Sequence, residues 1–221
     1  MAKGGPGLEL DGVDLFLQAL AGLIVVVGPW KAGVVFAERT RPLDLPARRR
    51  TALSTIGIAV VVGLVFIFVG EPLLDFFHIS EAAFLIAAGL IVVVFALGMV
   101  LSDEDEGDAA AIEPSDQQGR ALRLAIYPLS VPLVITPPGI ASLVALGVLA
   151  QINDASLVAV VAAFMVVMAF NLAVFMLESQ YEQHLNPAVF QVAGRLLGVL
   201  LVAFGVSIGI DGLKELDLID I

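Results

Sequence analysis

Polar side chains are rare inside the apolar stretches of this 221-residue chain, so each one found there is a candidate for chemistry. Lys31 follows Gly28-Pro29-Trp30, Asn171 and Arg195 stand in two other apolar runs, and Ser130, Thr136 and Ser142 surround Thr136-Pro137-Pro138-Gly139. These residue types recognise a ligand rather than break bonds: the cations suit a carboxylate, the hydroxyls and the amide suit a polar solute. Bond-making chemistry lacks its usual parts. His78 and His184 belong to different loops, and there is no His-Glu-x-x-His, no Gly-x-Ser-x-Gly and no pair of acids within one apolar run. The sequence therefore predicts no enzyme, no metal site and no cofactor. It leaves open a coupling cation such as sodium or a proton.

Each candidate also has a structural use. A lysine at bilayer centre costs roughly 2.5–3.5 kcal/mol on insertion scales. Lys31 either serves a site or snorkels toward the membrane face where Glu38 and Arg39 follow two turns on. Trp30 either stacks on a ligand or fills the gap beside a broken helix. Arg195 binds a solute carboxylate, pairs with an acid such as Glu178, or bonds carbonyls released at a break. Asn171 reads more readily as an interhelical hydrogen bond, worth about 0.6 kcal/mol on average, than as a ligand contact.

The elements that must hold these residues are transmembrane helices. Hydrophobic residues make up 59% of the chain, and a span needs roughly 20 of them in sequence. Six windows qualify: about Leu15–Ala37, Thr51–Gly70, Ala82–Leu101, Leu124–Gln151, Ser156–Leu177 and Val189–Ile210. They leave room for a single membrane domain over residues 1–221. Glu71-Pro72 is expected to end the second span, and Asn186-Pro187 announces the sixth. The first and fourth spans are interrupted at Gly28-Pro29 and Pro137-Pro138. Proline removes a backbone donor, and in hydrocarbon a freed carbonyl must be satisfied by protein or by a wet cavity. Both interruptions are therefore candidate sites.

The net charge of −11 argues against a nucleic-acid partner, and the absence of cysteine excludes thiol chemistry. Arg39, Arg41, Arg48, Arg49 and Arg50 crowd the link after the first span, and Arg120 and Arg123 precede the fourth. The positive-inside rule then predicts those links to be cytoplasmic and both termini external, in a plasma or inner membrane. No cleavable signal peptide is expected. The acidic segment 102–119 reads as a linker.

The linker separates two similar halves, about 13–101 and about 120–213. Each break lies about 14 residues, or roughly 21 Å, after its apolar start. Phe84 matches Phe190, Ala87 matches Ala193, and Gly98 falls near Gly205. Three spans per half is an odd number, so the halves have opposite orientation. The expected fold is an all-α integral membrane protein of six transmembrane helices as two inverted three-helix repeats, spans 1 and 4 broken at mid-membrane.

On these landmarks the chain resembles the MarC family. The resemblance is carried by ARRRTAL, GEPLLDFFHIS, AAGLIVVVFALGM, YPLSVPL and GRLLGVLLVAFGVSIGIDGL, in that order along nearly the whole chain. Where the family pattern has Asn-Pro-x-Gly and Gly-Pro-Gly at the breaks, this chain has Gly28-Pro29-Trp30-Lys31 and Thr136-Pro137-Pro138-Gly139. The resemblance implies a transporter or exporter of a small polar solute, with neutral amino acids the best match. The expected site comprises Gly28, Pro29, Trp30, Lys31, Thr136, Pro137, Pro138, Gly139, Asn171 and Arg195. The expected partners are the lipid bilayer and the solute, with a homo-oligomer left open. The competing reading is a non-transporting stress-related or scaffold protein whose acidic cytosolic loop binds a partner.

Overall fold

A computed structural model of the chain describes residues 12–101, 124–152, 157–180 and 187–216, and within these it leaves the side chains of Trp30, Lys31 and Arg195, among others, undescribed. The linker 102–119, Arg120, Arg123 and His184 lie outside the described residues. Among the described residues every element is helical: α1 (Gly12–Val26), α2 (Pro29–Thr40), α3 (Leu45–Phe76), α4 (Glu81–Leu101), a π-helix (Ala125–Val134), α5 (Pro137–Ile152), α6 (Leu157–Gln180) and α7 (Pro187–Glu215). Four segments are long and apolar enough to cross a bilayer: Leu45–Phe76, Glu81–Leu101, Leu157–Ser179 and Leu196–Glu215. α1 and α5 are apolar but shorter, because the first and fourth predicted spans are each divided. Large apolar side chains such as Val61, Phe68, Leu90 and Val94 point outward, as lipid contact requires.

The division of the first span falls where the sequence places it. α1 ends at Val26, Gly28 is extended (φ −69°, ψ 167°), and Pro29 takes the first position of α2, where its missing N–H costs nothing. The second span differs from expectation. α3 runs through Pro72 to Phe76 instead of ending at Glu71. Pro72 lies on the exposed face, and one lost hydrogen bond there does not outweigh the helix on either side. The stop comes from His78 in the left-handed region (φ 57°), with His78 N–H donating to Asp75 O at 3.0 Å and Ile79 N–H to Leu74 O at 2.9 Å. This pair of bonds is a Schellman ending built on histidine rather than glycine.

The fourth span also departs from expectation, since its first half is a π-helix. Pro128 and Pro132 each lack the N–H that an α-turn needs, and the segment adopts the wider i→i+5 pattern, closing with Ile135 N–H to Ser130 O at 2.9 Å. The Ser130 hydroxyl shares its proton between Ala125 O in the same turn and Thr55 O of α3, the latter at 3.0 Å. That second bond ties the irregular segment to a continuous helix.

α4 and α7 form the tightest seam, and they run antiparallel. Gly212 meets Ala82, Gly205 meets Gly89, and Gly198 meets Ala96 and Met99. A Cβ added at Gly89 would stand 2.5 Å from Gly205 O, so both positions must lack a side chain for the backbones to approach this closely. α3 runs parallel to the fourth span, joined by Ser130 to Thr55 at one end and by Gln151 to Glu71 at the other. α6 packs on α1, α2 and α3, and its Phe175 stacks on Phe36 of α2 with centroids 4.4 Å apart.

Candidate functional site at two helix breaks

A break frees backbone groups, and the geometry shows where they go. At the first break Val27 N–H still bonds Leu23 O at 2.8 Å, but Val27 O has left the helical ladder. Asn171 of α6 donates to it from Nδ2 at 2.9 Å, and to its own Val167 O at the same distance. Asn171 is fully buried, and its Oδ1 has no hydrogen-bond partner. The interhelical bond expected of this asparagine is thus made to the break itself, and one acceptor remains unused beside it.

The two half-helix starts differ. α2 begins after Gly28, which has no side chain to cap it, and the first-turn amides of an α-helix have no intrahelical acceptor. α5 begins with two prolines that carry no N–H, and the Gly139 N–H is taken by Thr136 Oγ1 at 3.1 Å. Ile140 N–H bonds Thr136 O at 2.9 Å, and the Ser142 hydroxyl returns to Pro138 O at 2.9 Å. Thr136 and Ser142 are therefore occupied with the backbone of the fourth span.

The breaks adjoin each other. A Cβ at Gly139 would lie 3.2 Å from Val27 Cγ2 and 3.8 Å from Val26 Cγ1, so the first turn of α5 rests directly on the end of α1. Gly28, Pro29, Thr136, Pro137, Pro138, Gly139 and Asn171 thereby fall in one neighbourhood, with Gly28 and Thr136 half-buried, Pro137 exposed and the others buried. On its outer side, Pro137 borders a groove of about 670 Å³ lined by Leu90, Ile91, Val94, Phe95, Thr136 and Pro138. Leu90 and Val94 face outward, and Thr136 alone is polar, so this groove suits an acyl chain and not a polar solute.

Trp30 and Lys31 lie in the first turn of α2, and Arg195 lies in α7. Gly198, one turn after Arg195, packs on Met99 and Val100. In an antiparallel pair this sets the Arg195 backbone level with Leu101, about two turns from the Leu90–Phe95 stretch that flanks Pro137 and Pro138. Sequence reasoning passed over Gly33 and gave Glu178 only one role. Glu178 of α6 is buried, neither carboxylate oxygen has a hydrogen-bond partner, and Oε1 lies 2.6 Å from where a Cβ of Gly33 would stand. The missing side chain at Gly33 makes room for the carboxyl. A signal was present: an acid at the end of an apolar run, seven residues and so two turns beyond Asn171 on the same face. No group of three metal-ligating side chains occurs among the described residues.

Residues 13–216 match the family described as MarC family integral membrane protein. A UPF0056 membrane protein of Methanocaldococcus jannaschii is 25% identical over 205 residues, covering 91% of this chain and 97% of the relative. The Escherichia coli UPF0056 membrane protein YhcE is 26% identical over 203 residues, 90% of this chain and 92% of its own. The E. coli UPF0056 inner membrane protein YhgN is 24% identical over 201 residues, 90% of this chain and 95% of its own. No solved structure matches. With the match running from the start of α1 to the end of α7, the chain belongs to the MarC family of integral membrane proteins.

Proposed function

We propose that the protein is a secondary transporter or exporter of a small polar solute, a neutral amino acid, and that the solute binds where the two breaks adjoin. One observation carries this reading: Asn171 holds the carbonyl freed at the first break and keeps Oδ1 buried and unpartnered beside it. An orphaned buried acceptor is rare in a folded protein. The uncapped α2 start supplies N–H groups and a positive dipole end for a carboxylate, and Asn171 Oδ1 supplies an acceptor for an ammonium. Donors at one edge and an acceptor at the other fit a zwitterion. Lys31 and Arg195 serve in this reading as added positive charge near the carboxylate. Recognition of this kind needs no cofactor and makes no covalent bond.

The same reading takes the chain as two inverted repeats of three spans. Each half then holds one divided element followed by two continuous helices: α1–α2, α3 and α4, then the π-helix with α5, α6 and α7. The antiparallel course of α4 against α7 supports it, since equivalent third spans of opposed halves run in opposite directions. Alternating access follows from rocking one half against the other about the junction. Its location would be the plasma or inner membrane, with the arginine-rich links inside.

The test is solute-dependent thermal stabilisation of purified protein across amino acids, other small solutes and cations. Neutral amino acids are expected to raise the melting temperature, by an amount equivalent to about 2.7 kcal/mol at one hundred times Kd. Asn171→Asp, which keeps an acceptor and loses the amide donors, should weaken that shift. A flat response to every solute would favour a non-transporting scaffold.

A further inference from the structure

The corner between α2 and α3 concentrates cationic charge. Five of the chain's eleven basic residues lie between positions 39 and 50, in a molecule whose net charge is −11. Arg48 is turned inward, its Nε donating to Thr40 O at 3.0 Å, and Thr40 O also accepts from Leu43 N–H at 2.8 Å. This ties the first turn of α3 to the end of α2, where Arg41 follows Thr40 and Arg49 follows Arg48. Arg41, Arg49 and Arg50 are exposed. Among the described residues, the carboxylates of this corner are Asp44, whose Oδ1 already accepts Ala47 N–H at 2.9 Å as the cap of α3, and Glu38, exposed on α2.

The position of these arginines on α3 points to their ligand. The outward face of α3 runs Arg49, Leu53, Gly57, Val61, Val65 and Phe68 at helical spacing, all exposed. One side of one helix therefore passes, within a single turn, from guanidinium groups to a lipid-facing apolar stripe. α3 is 32 residues long, or about 48 Å, which exceeds a hydrocarbon core of about 30 Å and carries its first turns to headgroup depth.

We propose that Arg49 and Arg50, with Arg41 beside them, form a binding site for the phosphate headgroup of an anionic diacyl phospholipid whose acyl chains lie along Leu53 and Val61. Guanidinium forks match phosphate oxygens in pairs, and the apolar stripe receives the chains that a free phosphate lacks. The site is separate from the helix breaks and stands whether or not a solute binds there.

The experiment uses the full chain in neutral detergent with added phosphatidylglycerol, with phosphatidylcholine of the same acyl chains, or with inorganic phosphate. Bound lipid is counted by native mass spectrometry and stability is read as melting temperature. Phosphatidylglycerol is expected to bind and stabilise, phosphatidylcholine and phosphate much less. R49Q/R50Q, at exposed positions that glutamine serves well in a helix, should lower phosphatidylglycerol affinity at least about tenfold with the lipid-free melting temperature unchanged. R49K/R50K, which keeps the charge and loses the fork, should bind more weakly than the parent and more tightly than R49Q/R50Q. Equal stabilisation by phosphatidylcholine, an equal response to inorganic phosphate, or an unaltered affinity in R49Q/R50Q would each overturn the proposal.

Discussion

At the scale of single residues, four described side chains keep a buried polar atom without a partner, Gln18, Thr55, Asn171 and Glu178, and the last two are expected to behave in opposite ways on replacement. Asn171 satisfies a carbonyl that has no other described partner, so Asn171→Leu leaves Val27 O buried and bare. An unsatisfied buried acceptor costs about 1–3 kcal/mol, and thermal denaturation is expected to show a loss of that size. A melting temperature equal to the parent would mean that water or a shifted backbone already serves that carbonyl. Glu178 is the reverse case, because its carboxyl oxygens have nothing to lose. Glu178→Gln keeps the shape and removes any charge from a buried place, so stability should stay level or rise. A clear loss would show that the carboxylate has a cationic partner in the membrane.

At the scale of elements, the α4–α7 seam depends on the absence of side chains. Gly205→Leu forces a branched chain into a place where even a Cβ would stand 2.9 Å from Gly89 O and 3.0 Å from Val93 N. The helices must separate, with an expected destabilisation of about 1–3 kcal/mol or more; Gly98→Leu, where a Cβ meets nothing within 4 Å, is the matched control. Equal melting temperatures for the two would refute a close-packed seam. Which features of such elements the sequence reveals depends on whether their cause is local. Gly28-Pro29 and Thr136-Pro137 marked both divisions because proline acts on its own turn. Pro72 misled for a related reason: a proline on an exposed face loses one hydrogen bond, and whether the helix survives that loss depends on the turns around it. The π-helix was legible in Pro128 and Pro132, spaced four apart, had their joint effect on one ladder been weighed. Asn171 reaching Val27, and Glu178 lying in the notch at Gly33, join residues more than 140 positions apart, and no periodicity in the chain encodes those pairings.

At the scale of the whole molecule, the direction in which each helix crosses the membrane decides whether two divided spans can face each other. α3 is continuous over 32 residues, so the corner at Pro42 and the turn at Ser80 must emerge on opposite sides. Under the inverted-repeat reading the Asp154 link lies on the side of Ser80, because α3 and the fourth span run parallel, as the contacts of Ser130 with Thr55 and of Gln151 with Glu71 require. The chain contains no cysteine, so single cysteines at these three positions give an uncluttered readout. Because arginines accumulate at the α2–α3 corner, Ser80→Cys and Asp154→Cys are expected to react with an impermeant maleimide in intact cells. Pro42→Cys should react only after the membrane is opened. Labelling of Ser80→Cys and Asp154→Cys from opposite sides would end the inverted-repeat reading, because the fourth span would then no longer run parallel to α3. A uniform reversal, with Pro42→Cys alone labelled from outside, would keep the repeat and overturn only its orientation.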